Sequence, residues 1–186
     1  MPILNLRILE NPGKLIVVLV LGAIGLAACD QIHVYYGVLK YFHSGLWGQA
    51  WWVAPQFLLA TFFMYLGAFF FRKESGEFNK KDFVISTLWF VGVYFASGVY
   101  ADQSLLLAAI YLFFWILRIF FSENRKELGL FSILLAIAGA MMEGLISRAG
   151  LFYYTQPDFL LVPIWLPGLY LHGAFLIWNL VPWIRR

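Results

Sequence analysis

Charge is the scarcest property of this 186-residue chain: 12% of its residues are Asp, Glu, Lys or Arg, while 62% are hydrophobic. A water-soluble domain of this size could not cover its surface with so few charges, so most of that surface must face lipid. Cysteine is almost missing as well. The single Cys29 excludes an intrachain disulfide and a cysteine metal cluster, and its apolar neighbours mark it as a buried or lipid-facing thiol. The net charge of +3 is weak, and no nucleic-acid partner is expected. No phosphate-binding glycine loop, nucleophile elbow, HExxH pair or His-rich box occurs, so the usual membrane desaturase and hydrolase chemistries lack their residues. No cofactor or metal site is expected. Without internal repeats or a low-complexity linker, residues 1–186 read as one membrane domain with a short N-terminal arm, 1–13.

What is abundant is aromatic and apolar. The 8 Trp, 10 Tyr and 19 Phe are too many rings for one small core and suit interface belts and a lipid-facing surface. A spanning helix needs about 20 mostly apolar residues. Six stretches meet that: Lys14–Tyr35, Trp47–Phe71, Phe83–Tyr100, Ser104–Phe121, Gly129–Ser147 and Val162–Ile184. The fold class is therefore an all-α, six-span integral membrane bundle. The first stretch is too long for a cleavable signal peptide and lacks a small-x-small cleavage site. Orientation follows from the basic residues. Arg7, Lys14, Arg72, Lys73, Lys80, Lys81, Arg118, Arg125, Lys126, Arg185 and Arg186 fall on one side, and only Lys40 and Arg148 on the other. Both termini are expected in the cytoplasm, because basic loops are retained there.

The most specific local sequence is "YYTQPDFLLVPIWLP", Tyr153 to Pro167, in the last non-cytoplasmic connection. Pro157 fixes φ and Asp158 can cap the following amides, which makes a turn. Tyr153, Tyr154 and Trp165 are expected at headgroup depth. Pro163 and Pro167 are expected to break the ladder early in the last span, as tolerated beside protein or a cavity. Asp102 and Gln103 read as a solvated turn cap, and Asp30 and His33 as solvated interface positions. Ala140 and Gly144 form a small-xxx-small stripe, and Gly168 and Gly173 leave room for a helix or a ligand chain.

Polar groups in hydrocarbon mark a packing contact or a site. Gln56 and Thr61 lie on the second span, Glu143 on the fifth, His172 and Asn179 on the sixth. At ~1.5 Å per residue, Glu143 and His172 lie at roughly similar depth, ~10–15 Å in, and could pair. Such a pair could shuttle a proton or simply hold two helices together. With no second carboxylate or metal-ligand spacing beside it, contact with a helix or ligand is the reading taken.

Several strings in order resemble one family. They are "LIVVLVLGAIGLAACDQI" (Leu15–Ile32), "WWVAP" (Trp51, Trp52 to Pro55), "FVGVYFAS" (Phe90–Ser97), "LLLAAIYLFFW" (Leu105–Trp115) and "YTQPDFLLVPIWLP" (Tyr154–Pro167). The last is close to the Tyr-Thr-Ser-Pro-Asp-Phe and Ser-Trp-Leu-Pro of the Insig (insulin-induced gene) proteins, which the chain resembles from about Leu15 onward. The resemblance implies six spans around a lipid cavity and a possible homotrimer. It matches Phe90 and Trp115 to residues of the sterol response, and Gln103 to a glutamine opening the fourth span. Animal members bind oxysterols, retain Scap in the endoplasmic reticulum and promote degradation of HMG-CoA reductase. Here Ile119 stands where they place the acidic residue that engages Scap, and their long N-terminal extension is missing, so a Scap-type partner is doubtful. The compact chain looks more like prokaryotic relatives, expected to bind a two-chain lipid such as diacylglycerol. The membrane would be the inner membrane of a prokaryote, or the endoplasmic reticulum of a eukaryote.

The reading is a non-enzymatic lipid binder. Phe90, Tyr94, Tyr111, Trp115 and the end regions of spans one and five would line its cavity, with Gln56, Glu143 or His172 meeting the lipid head. The rival is a small membrane enzyme of isoprenoid or lipid metabolism, with Glu143 and His172 as acid and base. A third option is a packing subunit of a larger complex.

Overall fold

The computed structural model describes residues 11–72 and 76–185. Arg7, Lys73 and Arg186, three of the basic residues used above to orient the chain, lie outside the described residues. Six helices run in order: α1 (Pro12–Tyr35), α2 (Val53–Phe71), α3 (Lys80–Val99), α4 (Ser104–Phe120), α5 (Arg125–Arg148) and α6 (Leu166–Ile184). Local chemistry sets their starts. Asn11 accepts the Lys14 amide at 3.2 Å ahead of Pro12, and Asn79 accepts those of Lys81 and Asp82 ahead of α3.

α1, α2 with its leading 3₁₀ turn at Leu46–Gly48, α3 and α5 are long and apolar enough to cross a membrane by length and composition. α4 is apolar but has only 17 residues. α6 carries His172, Asn179 and Pro182, and packs against every other helix group in the bundle. Thirteen of its 19 residues are buried, whereas α4 buries only Leu107 and Tyr111. A central helix shielded by its neighbours need not be uniformly apolar; a peripheral one facing lipid must be. The chain is a multi-pass integral membrane protein.

The strands lie outside the helices. β1 (Leu39–Tyr41) and β2 (Phe152–Tyr154) pair antiparallel, Leu39 opposite Tyr154 and Tyr41 opposite Phe152. This ribbon joins the first and last connections and closes one end of the bundle. Lys14, Arg72, Arg118, Arg125 and Arg185 gather at the other, here called the basic end.

The ribbon fixes the surroundings of two aromatic residues. Alternation along β2 points Tyr153 outward and Phe152 and Tyr154 inward. Tyr154 is buried, and Trp165 is fully buried with its ring 5.3 Å from that of His33. Both rings are enclosed by protein and do not face the bilayer. Pro163 and Pro167 differ from expectation. Pro163 precedes α6 and Pro167 lies in its first turn, where the missing N–H would have had no partner anyway. The proline that does interrupt α6 is Pro182, near its far end.

Asp158 caps the approach to α6: the Ile164 amide donates to its Oδ2 at 2.9 Å. The intervening chain makes a tight turn, with Leu160 and Leu161 both at positive φ (49° and 66°). Losing a side-chain cap costs ~0.5–2 kcal/mol. Asp158→Ala should therefore lower stability within that range and leave the set of co-purifying lipids unchanged, as read by unfolding in mixed detergent micelles and by lipid extraction. Full stability with lost lipid would contradict a purely structural role.

Candidate functional site

A cavity of about 390 Å³ lies between α1, α2, α3 and α6. Its α1 wall is the stripe Leu21, Gly22, Gly25, Leu26 and Cys29, which repeats at helical spacing along one face. Thr61 and Met64 of α2, Phe83, Thr87 and Phe90 of α3, and Leu176, Leu180 and Trp183 of α6 complete it. Small residues set its shape. A Cβ on Gly22 would come within 2.6 Å of the Thr61 side chain, so α1 and α2 meet closely there. A Cβ on Gly25 would meet nothing within 4 Å, since that position faces the open space. The two threonine hydroxyls donate to carbonyls of their own helices, Phe57 at 2.8 Å and Phe83 at 2.9 Å. The walls make no demand for a polar ligand. The cavity suits hydrocarbon, and its size falls in the usual ligand range of ~300–1,000 Å³.

Polar side chains cluster above and beside this space. Under the ribbon, Asp30 accepts from Tyr41 Oη and Gln49 Nε2, each at 2.8 Å, and His33 Nε2 bonds Ser97 Oγ at 2.8 Å. Both Asp30 and His33 are buried, not solvated as expected. They lie one turn apart on the inner face of α1, and the folded-back ribbon covers them. Glu143 accepts from the hydroxyls of Tyr154 and Tyr170. Burial, and then the neighbouring Glu143 charge, holds the Tyr154 phenol well above its ordinary range, so it remains a donor.

Glu143 and His172 do not pair. The Glu143 partner on α6 is Tyr170, and a residue two positions on points roughly 200° around the helix, away from α5. His172 instead meets Arg118 Nη1 at 2.9 Å and the Tyr111 carbonyl at 3.0 Å.

The other expected site residues are spread out. Phe90 lines the apolar cavity, its ring filling the space left by Gly173. Tyr94 lies in the core against Phe90 and His33. Tyr111 donates to the Val93 carbonyl at 2.7 Å, packs on Gly168, and shares a second cavity with His172 and Trp89. Trp115 packs against the inner half of α6, and its Nε1 has no acceptor. Gln103 is exposed in the α3–α4 turn, and Gln56 is half-buried on α2 away from the cavities described here. Of the signature residues, Trp51 and Pro55 are exposed, and Trp52 packs its ring 5.4 Å from Tyr41. Of α1 and α5, the sequence placed only the end regions in the wall, whereas the cavity is lined by the middle of α1 and by no residue of α5. The signal for the α1 wall was the Gly22, Gly25 and Cys29 spacing.

The family described as "Protein of unknown function (DUF2878)" matches over residues 83–186. Among curated proteins, the insulin-induced gene 1 protein of Bos taurus is 34% identical over 96 residues, which is 49% of this chain and 33% of the bovine protein. The chain thus matches about a third of that relative's length. Among solved structures, two crystal structures of an Insig homologue from Mycobacterium vanbaalenii share the fold at TM-score 0.75. They are 18% and 17% identical, covering 92% and 91% of this chain and 93% and 92% of theirs. One of them is a cross-linked trimer.

Proposed function

We propose that this chain, which belongs to the DUF2878 family and is similar to Insig proteins, is a non-enzymatic lipid-binding membrane protein that holds the hydrocarbon of a neutral lipid between α1, α2, α3 and α6. The observation that carries the reading is the apolar cavity with its spent threonine hydroxyls. A two-chain lipid such as diacylglycerol, or a sterol-like ligand, would place its apolar part there. Its hydroxyl or ester end would lie toward Cys29 and the polar cluster under the ribbon. Both termini would face the cytoplasm, as the basic end requires. A homotrimer is proposed from the fold shared with the mycobacterial protein.

An enzyme using Glu143 and His172 is disfavoured by geometry. Each is committed to a different set of partners, and no acid–base dyad forms across α5 and α6.

Gly25 supplies the test, because its missing side chain is what keeps the middle of the cavity open. Gly25→Leu should fold, since the added atoms enter open space, and leucine is a better helix former than glycine by roughly 0.5–1 kcal/mol. Lipid retained through purification, quantified by native mass spectrometry and extraction, should drop from stoichiometric to a small fraction. Melting should no longer rise on adding diacylglycerol, as it must for any ligand of the native state. Unchanged lipid occupancy in Gly25→Leu would place the ligand elsewhere.

A further inference from the structure

We propose that the basic end of the bundle carries a second ligand site, in which Arg118 and Arg72 bind the phosphate of a phospholipid headgroup. It is separate from the apolar cavity and does not depend on what occupies that space. A polar cavity of about 680 Å³ opens there between Gly76, Glu77 and Asn79 ahead of α3, the ends of α4 and α6, and the α4–α5 turn. Arg118 projects into the bundle from the last turn of α4. Its guanidinium stacks 3.9 Å from the Phe175 ring centre and lies 5.6 Å from that of Trp89. Nη1 donates to His172 Nδ1 at 2.9 Å, and Nη2 to Ser86 Oγ at 3.1 Å.

A guanidinium has no acceptor, so Nδ1 must be the bare nitrogen of His172 and Nε2 must carry the proton given to the Tyr111 carbonyl. His172 is therefore neutral. Ser86 is neutral too, and among the described residues no carboxylate meets Arg118. Its charge is matched only by dipoles and ring faces, with donors left over of the five a guanidinium carries.

Arg72 lines the same cavity. Nη1 is spent on the Trp178 carbonyl at 2.7 Å, the guanidinium lies 5.5 Å from the Trp178 ring, and Nε is buried with no acceptor. Burial, and then the nearby Arg185 charge, lowers its proton affinity, and the Glu123 carboxylate at the rim offsets part of that. Phe175 and Trp178 are three residues apart on α6, so one helical face sets both guanidiniums against one cavity. A cation near hydrocarbon whose hydrogen-bond partners are all neutral, as those of Arg118 are, calls for an anion, and phosphate oxygens fit the planar fork.

Two features favour a lipid over free phosphate. The exposed Ile85, Leu117 and Phe121 continue the cavity wall onto the lipid-facing surface, where acyl chains would lie. The rim carries the carboxylates Glu77, Asp82 and Glu123, which repel a bare anion but suit a headgroup with an amine beyond its phosphate. Phosphatidylethanolamine has that order of charges.

The test uses delipidated protein in detergent, with thermal unfolding and native mass spectrometry. The probes are dioleoylphosphatidylethanolamine, dioleoylglycerol with the same chains, and inorganic phosphate. Wild type should bind and be stabilised by the phospholipid. Arg118→Gln should weaken that binding about tenfold or more, the loss of one charge-assisted contact, and Arg118→Lys should recover part of it. Dioleoylglycerol should bind wild type and Arg118→Gln alike, which also reports that the variant is folded. Should Arg118→Gln fail to fold, Glu123→Lys at the exposed rim should weaken phosphatidylethanolamine and strengthen phosphatidylglycerol, which lacks the amine. Equal phospholipid binding by wild type and the Arg118 and Glu123 variants would overturn the site. Arg118-dependent binding of inorganic phosphate without phospholipid binding would overturn its assignment to lipid.

Discussion

Arg72→Gln is expected to destabilise the bundle by ~1–3 kcal/mol, and Pro182→Ala is expected to remove most of that loss. The reason lies in the backbone of α6. Pro182 has no N–H, so the carbonyl four residues earlier, that of Trp178, has no helical donor. In a membrane such a carbonyl must be satisfied by protein, and Arg72 Nη1 reaches it from the end of α2 at 2.7 Å. Arg185 answers from α6, donating to the carbonyls of Phe69 and Arg72 at 2.7 and 2.8 Å. The two helix ends are cross-clamped. Removing Arg72 strands a buried acceptor, at ~1–3 kcal/mol. With alanine at 182 the helix supplies its own donor, and the arginine becomes dispensable to the fold. A double-mutant cycle of unfolding free energies in mixed micelles measures this coupling. Additive effects would show that Arg72 acts through something other than the Trp178 carbonyl.

The same clamp shows what a linear reading reaches and where it stops. Helix positions were legible because hydrocarbon imposes length and apolarity. The expected Lys14–Tyr35 and Ser104–Phe121 differ from the observed Pro12–Tyr35 and Ser104–Phe120 by a residue or two. Relative level along neighbouring helices was legible too, since residue count converts directly to distance along a helix. Rotation was not. Glu143 is level with Tyr170, two residues from His172, but Tyr170 and not His172 is the α6 residue turned toward α5. Arg118 looked like one more loop cation, because nothing in the last turn of an apolar helix says whether it faces water or Phe175. The β1–β2 ribbon was invisible for another reason. Three-residue strands more than a hundred residues apart leave no periodic trace, yet their pairing buries Asp30, His33 and Tyr154. A cavity is a lack of atoms, and only glycines such as Gly25 hint at it in sequence.

Glu143 is where rotation and chemistry meet, and its replacement carries the largest expected effect. Its two oxygens accept from Tyr154 on the ribbon and Tyr170 on α6, tying α5 to both. Tyr170 reaches it by lying against Gly139, where a Cβ would come within 2.6 Å of the ring. Glu143→Leu strands two phenol O–H groups in the core, at ~1–3 kcal/mol each, so a loss of ~2–6 kcal/mol is expected. Glu143→Gln keeps one carbonyl acceptor, and the other phenol can turn to accept from the amide, so it should cost less than a third of the leucine change. Tyr154→Phe and Tyr170→Phe should each be destabilising alone and nearly silent in the Glu143→Leu background, because their partner has already gone. Lipid occupancy should persist in Glu143→Gln, since the apolar cavity is bounded by α1, α2, α3 and α6 and not by α5. Unfolding in mixed micelles reads the first expectation, and lipid extraction from the same preparations reads the second. A folded Glu143→Gln protein that had lost its lipid would move the carboxylate from a helix tie to a headgroup contact. Turnover of an isoprenoid or acyl lipid by wild type that fell ~10²–10⁴-fold in Glu143→Gln, as removal of a general acid or base would predict, would replace the binder with an enzyme.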